Sequence, residues 1–184
     1  MERVSLFIDL YNFLNTSKDY LNQQCFIDFI KMQEYFVNET TQVLSKTYIY
    51  GGSRDSEMLK HIERQPRMDV IRGEVGSDHK EKCTDINLAT GLLIKAFYNT
   101  YDVALVFSGD RDYKKVVREL RRMGKIIGIV TPGGKPRKNA KDLIRNADFS
   151  IVLDEEFYKK YWNNPSGKPY ESMIGKPKVA TIDK

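Results

Sequence analysis

Five consecutive apolar residues, Val103–Phe107, run straight into Ser108, Gly109, Asp110, Arg111 and Asp112, and a helical pattern starts behind them. An unbroken apolar run of that length is what a parallel strand covered on both faces requires. Tyr113, Val116, Val117 and Leu120 then recur at helical spacing, with Gly124 as a stop just past the end. The two carboxylates therefore sit at the carboxyl end of a central strand, the edge at which open α/β sheets bind ligands. Aspartates this close repel one another unless a cation or a shared proton intervenes. The segment thus commits the chain to an α/β fold with a charge conflict at that edge.

The rest of the chain alternates in the same way. Residues 4–8 read as a first strand ending in Asp9, with Asn12 one turn further on. Apolar positions over 26–44 predict a long helix. A short strand is expected at 47–50, a helix at 57–65 stopped by Pro66, and a strand at 68–75. A polar loop, 76–82, leads into Cys83, Thr84 and Asp85, and Leu88, Ala89, Leu92, Leu93, Ala96 and Phe97 then form a core-facing stripe. Thr84 is the expected N-cap, which puts Asp85 in a first turn where the helix dipole favours a carboxylate. Further on, 126–130 predicts a buried strand and 131–138 a flexible basic loop without a phosphate-loop pattern. A short helix (139–146), a last strand (149–152) and a terminal helix (155–162) follow. Residues 1–162 read as one domain; from Asn163 the composition shifts to Pro, Gly, Ser and Lys, and 163–184 is expected to pack loosely or lack order.

No apolar run reaches membrane-spanning length and no basic-then-apolar leader opens the sequence, which places the protein in the cytoplasm and off the membrane. Cys25 and Cys83 suit neither a disulfide framework nor a metal-binding spacing, and His61 and His79 have no paired ligand spacing. A net charge of +5 and a pI near 9.0 suit a polyanionic partner.

Alternating strands and helices imply parallel strands with right-handed crossovers. The strand ends carrying Asp9 and Asp110/Asp112 then share one edge, and the helix start carrying Asp85 can reach it. Singly, each of these acids reads as a cap or turn residue. Together, four carboxylates without matched bases call for a hard divalent cation, Mg²⁺ or Mn²⁺, and point to phosphodiester hydrolysis. Arg111, Lys114, Lys115, Arg118, Arg121 and Arg122 crowd the following helix, and Lys82, Lys135, Arg137, Lys138 and Lys141 lie in neighbouring segments. Such a set can track a nucleic-acid backbone, with Lys82, Arg111 and Lys114 nearest the acids. Tyr11, Phe13 and Tyr113 are candidates for stacking on bases, Phe13 being the one that also suits a core.

Four segments carry a family resemblance. FIDLYNFLN resembles the opening F-[IV]-D-x-x-N motif of NYN domains, the LabA-like branch of the PIN-like nucleases; EKCTDINLATGLL resembles their E-K-x-x-D element. LVFSGDRDYKKVVRELRRMGKIIGIV is similar to their L-x-S-G-D-x-D-[FY] strand-turn-helix, and NAKDLIRNADFSIVL to their closing L-x-x-x-A-D-x-[FY] segment. The resemblance implies a three-layer α/β/α PIN-like (Rossmann-like) domain with a central, mostly parallel sheet. It also implies Mg²⁺- or Mn²⁺-dependent ribonuclease activity on RNA, expected to be single-stranded. By position it assigns metal binding and catalysis to Asp9, Asp85, Asp110 and Asp112, and substrate contact or support to Asn12 and Ser108. PIN-like domains often pair, which makes a homodimer an expectation. Gly91 stands where many relatives carry a further Asp. Two alternatives stand beside this reading. A phosphatase using Asp110-Arg111-Asp112 is disfavoured because the pair comes late in the chain. The other is a non-catalytic RNA-binding or regulatory module with a vestigial metal site, which Gly91 favours.

Overall fold

Side chains along a strand point alternately to opposite faces, and the two central strands use both faces for burial. In β1 (Glu2–Asp9), Val4, Leu6 and Ile8 enter one hydrophobic cluster and Phe7 the other. The computed structural model describes residues 1–52, 56–75, 81–134 and 138–170, with the backbone alone at 74–75 and 81–82. The remaining strands are β2 (Gln42–Tyr50), β3 (Met68–Ile71), β4 (Glu74–Val75), β5 (Glu81–Lys82), β6 (Val103–Phe107), β7 (Ile126–Pro132) and β8 (Phe149–Leu153). In β6, Val103, Leu105 and Phe107 join the first cluster while Ala104 and Val106 join the second. That double burial is why the apolar run is unbroken.

Six strands form one sheet in the order β3-β2-β1-β6-β7-β8, and every adjacent pair is parallel. Strands β4 and β5 make a separate antiparallel pair. One face of the sheet is covered by α1 (Leu10–Leu21), α2 (Glu57–Glu63) and α6 (Glu155–Lys160), through Leu10, Phe13, Leu59, Ile62, Phe157 and Tyr158. The other is covered by α3 (Thr84–Phe97), α4 (Lys114–Arg122) and α5 (Lys138–Ile144), through Leu88, Leu92, Ala96, Val117, Leu120 and Leu143. The result is the three-layer α/β/α arrangement that the resemblance implies. After β1 the chain steps outward to β2 and β3, then crosses back to β6 and continues the opposite way. The carboxyl ends of β1 and β6 therefore flank the point where strand order reverses, the crevice where such sheets hold ligands.

The helix expected over 26–44 is not there. A single 3₁₀ segment occupies Lys31–Phe36, and β2 already begins at Gln42. The reason is local turn chemistry followed by strand pairing. The Asn38 side chain accepts from the Thr40 amide at 3.0 Å, and the Asn38 carbonyl accepts from Thr41 and Gln42. This side-chain turn competes with a helix, and Gln42, Val43 and Leu44 then pair with Glu2, Arg3 and Val4. Of the face the helical reading expects (Phe26, Phe29, Ile30, Tyr35 or Phe36, Val37 and Val43), Phe29 and Phe36 are buried; Ile27 and Met32 join them instead, from a loop and one short turn. The expected strand at 68–75 divides into β3 and β4, and the basic loop begins later because Thr131 and Pro132 extend β7. Residues 76–80 and 135–137 lie outside the described residues, and with them Lys135 and Arg137.

The chain stays packed as far as Tyr170, inside the segment expected to be loose. Trp162 bridges to Ile27 and donates its indole N–H to the Lys168 carbonyl at 3.0 Å. The Tyr170 ring is buried edge-on against Trp162. Residues 171–184 lie outside the described residues. Among the described residues no helix is long and apolar enough to cross a membrane.

Candidate active site

Strand parity aims Asp9 at α3. It shares a face with Phe7, on the side where α3 and α4 pack, and only 4% of it is exposed. Its Oδ1 caps α1 by accepting from the Asn12 amide at 3.1 Å. Its Oδ2 accepts from the Tyr113 hydroxyl at 3.3 Å and lies 3.5 Å from Ser108 Oγ. The same Tyr113 hydroxyl reaches Asp85 Oδ1 at 3.0 Å. A phenol carries one hydrogen, so two carboxylates compete for it. Asp85 sits in the first turn of α3 as expected, although Cys83 rather than Thr84 holds the N-cap position, at φ 68° and without a side-chain cap.

Asn12 and Ser108 brace the loop that carries Asp110. Asn12 Oδ1 accepts from the Gly109 amide at 3.1 Å, and Ser108 Oγ accepts from the Asp110 amide at 3.2 Å. Asp110 caps the turn behind it by accepting from the Asp112 amide at 3.0 Å. Its charge also bears on Asp9. Asp9, Asp85 and Asp110 thus come to one edge with Tyr113, Asn12 and Ser108. Asp112 is exposed, and no hydrogen bond or ion pair joins its carboxylate to the other three.

Burial pushes the Asp9 carboxyl up to about 6, and the nearby charges of Asp85 and Asp110 push the same way, while the Asn12 amide and the Tyr113 hydroxyl oppose them. Burial also raises the Tyr113 phenol, as do Asp9 and Asp85, so this hydroxyl remains a donor. Below about pH 6 Asp9 keeps its proton and can donate it to Tyr113, which donates onward to Asp85. Above it, one hydrogen must serve two anions.

The donor set is all oxygen, which suits a hard cation. Among the described residues, however, no three His, Cys, Asp or Glu side chains gather into a ready ligand group. Among the described residues, then, no all-protein cage is built. A Mg²⁺-type site, where one or two carboxylates share the ion with water and substrate phosphate, still fits Asp9 and Asp85.

Gly91 has a packing reason. A Cβ there would lie 2.0 Å from the Tyr50 hydroxyl, which is buried and has no hydrogen-bond partner among the described residues. Tyr50 thus fills the space that a side chain at position 91 would need. Gly91→Ala should destabilise by about 1–3 kcal/mol through overpacking. In a Tyr50→Phe background that penalty should shrink, because the colliding oxygen is gone. Urea unfolding of the double-mutant cycle checks this, and additive effects would refute it.

The basic residues divide. Arg111 is exposed and Lys114 half-buried, both beside Asp110. Arg118 and Arg121 instead donate to Asn146 and Asp148 at 2.7 and 2.8 Å, pinning α4 to the turn before β8, and Arg122 pairs with Glu119. Lys82 lies on β5, with its side chain outside the described part. Phe13 is core, edge-on to Phe29 and Phe107. Tyr113 is buried among the acids and offers no stacking face, whereas Tyr11 is exposed. The sequence reading missed the Tyr113 hydroxyl as the link between Asp9 and Asp85; its only signal was the aromatic after Asp112.

No curated protein matches the chain. Among solved structures, the fold is similar to that of a protein of unknown function from Vibrio parahaemolyticus, with a TM-score of 0.66 at 19% identity, covering 85% of this chain and 95% of that one. That likeness speaks for the fold alone. The sequence matches the NYN domain model over residues 3–154, a span that includes all four aspartates and nearly the whole sheet. The chain therefore belongs to the NYN domain family, of the PIN-like nuclease superfamily.

Proposed function

We propose that the protein is a divalent-metal-dependent ribonuclease that hydrolyses phosphodiester bonds of single-stranded RNA. The observation that carries this reading is Asp9, a buried acid at the carboxyl end of β1, held with Asp85 on one phenol hydroxyl and pressed by the charge of Asp110. A fold keeps such a conflict at a switch point when a ligand relieves it. Asp9 and Asp85 would hold Mg²⁺ or Mn²⁺, with Asp110 beside them and Asp112 at the solvent side. A bound divalent cation supplies charge stabilisation to a phosphodiester undergoing in-line displacement and eases ionisation of the attacking water.

The chain's own residues do the rest. Asn12 and Ser108 fix the Gly109–Asp110 backbone, so Asp110 is presented at a set position. Tyr113 orients Asp9 and Asp85 toward one another. Arg111, next to Asp110 in the chain and exposed, and Lys114, at the start of α4, are the cations that would meet the flanking phosphates of a bound strand.

One observation favours the non-catalytic module instead: Tyr113 can serve the two acids without an ion. Incubation with end-labelled single-stranded RNA separates the readings. Cleavage that requires Mn²⁺ and stops with EDTA supports the hydrolase; retained RNA binding with no cleavage under either condition supports the module.

A further inference from the structure

Both oxygens of Asp9 are already engaged. Oδ1 accepts from the Asn12 amide at 3.1 Å, and Oδ2 accepts from the Tyr113 hydroxyl at 3.3 Å. The same hydroxyl reaches Asp85 Oδ1 at 3.0 Å. One phenol thus stands between the two acids that would hold an ion, and it is only 2% exposed. Its ring belongs to the hydrophobic cluster under α3 and α4, together with Leu88, Leu92 and Val117. The hydroxyl is therefore fixed beside the pair by packing.

The direction of the hydrogen bond decides what such a partner does to an ion. A neighbour that accepts a hydrogen from a metal ligand makes that ligand more basic and strengthens its hold. Tyr113 does the reverse. It donates, and a donor draws on the same lone pairs that a cation needs. A hydrogen bond to an anion is also worth roughly twice one to a neutral acceptor. In the ion-free protein the hydroxyl serves two carboxylates; once a cation neutralises them, the same hydroxyl contributes less. A group that stabilises the ion-free state more than the ion-bound state lowers the affinity for the ion.

We propose that the Tyr113 hydroxyl competes with the divalent cation for Asp9 and Asp85. This inference rests on the metal-dependent reading above for the nature of the ion. It makes Tyr113 a positioning residue with a definite sign: it holds the two acids together without an ion and weakens the binding of one.

The test titrates Mn²⁺ into the full chain without RNA and reads the dissociation constant by calorimetry. Tyr113→Phe keeps the ring and removes the hydroxyl, and should bind Mn²⁺ about tenfold tighter, the scale by which a bond to an anion exceeds one to a neutral acceptor. A merely structural role gives the opposite sign, because a loosened site binds more weakly. Tyr101→Phe is the control. It removes another buried phenol, one that donates to the Leu92 carbonyl at 3.0 Å instead of to a carboxylate, and should leave the constant unchanged. A second measurement needs no variant. The Tyr113 hydroxyl proton of the unaltered protein, followed by NMR, should move upfield as diamagnetic Mg²⁺ saturates the site, because anionic acceptors are withdrawn from it. Equal or weaker Mn²⁺ binding by Tyr113→Phe, the same gain in Tyr101→Phe, or a hydroxyl proton that Mg²⁺ leaves unmoved overturns the inference. Cleavage of RNA with Mn²⁺, assayed in parallel, keeps the two readings apart. Cleavage by the unaltered protein with no gain in Tyr113→Phe sinks the inference alone. A gain without cleavage sinks the hydrolase and leaves the inference standing. Mn²⁺ uptake by neither protein sinks the inference whatever the cleavage assay shows.

Discussion

Asp9→Asn should lower the rate of RNA cleavage by more than about a hundredfold, beyond what losing an outer partner of a metal ligand costs. Asp112→Asn should cost less than about tenfold. The contrast follows from placement. Asp9 is buried, accepts from Asn12 and Tyr113, and feels the charges of Asp85 and Asp110. Asp112 is exposed, and among the described residues its carboxylate makes no hydrogen bond or ion pair. The amide introduced at position 9 preserves the cap on α1, because its oxygen can still accept from Asn12, so the fold persists while the charge is lost. Initial rates at saturating Mn²⁺ on one labelled RNA would check this. Equal losses at the two positions would mean that Asp112 is drawn in when substrate binds and that the resting geometry misleads.

The same substitution should stabilise the protein at neutral pH when no divalent cation is present. The Asp9 carboxyl titrates near 3.8 when exposed and about 6 in the fold. The native state therefore holds the proton more tightly than the unfolded chain. The stability this confers is complete below about pH 4 and is lost as pH rises through about 6. At roughly 1.4 kcal/mol for each pH unit, ionising Asp9 at neutral pH costs up to about 3 kcal/mol. Asp9→Asn avoids that cost, and its Tm at pH 7.5 should exceed that of the unaltered protein by on the order of 5–10 °C. At pH 4 the two should melt together. Adding Mn²⁺ should raise the Tm of the unaltered protein through binding to the folded state, and should raise that of Asp9→Asn much less. Thermal melts at the two pH values, with and without Mn²⁺, provide the check. A lower Tm for Asp9→Asn at pH 7.5 would show that the carboxylate is better compensated than its surroundings imply.

How far the fold could be read from residue order depended on whether local pattern and tertiary context agreed. At Val103–Phe107 they agree: a central parallel strand must be apolar on both faces, and the strand falls on those five residues. The core stripe of α3 was legible for similar reasons up to Ala96, but Phe97, expected on the same stripe, is exposed at the helix end; the stop at Gly124, with its φ of +78°, was legible as well. Over 26–44 they conflict. Buried positions at helical spacing come from a loop wrapped on the core, and the Asn38 turn with β1 pairing overrides the periodicity. The edge shared by Asp9, Asp85 and Asp110 follows from parallel topology alone. What topology cannot supply is the side-chain reach of Tyr113 across the gap between Asp9 and Asp85, or the collision that makes position 91 a glycine. Both depend on distances between residues far apart in sequence. The packing of the Tyr20 ring on Gly133 was hidden in the same way, since the glycines at 133 and 134 resemble an ordinary loop until a ring is found lying on them.

Because every ladder in the main sheet is parallel, its strands cannot zip up as hairpins while the protein is being made. β2 follows β1 closely in the chain, but the other edge of β1 cannot be covered until β6 has emerged. Asp9 leaves the ribosome 104 positions ahead of the tyrosine that will hold it. During that interval Val4, Leu6, Phe7 and Ile8 form an open, oily edge, the kind of surface on which nascent chains aggregate and chaperones act. Synthesis that stalls before Val103 would leave a fragment with half its acids and an unprotected sheet.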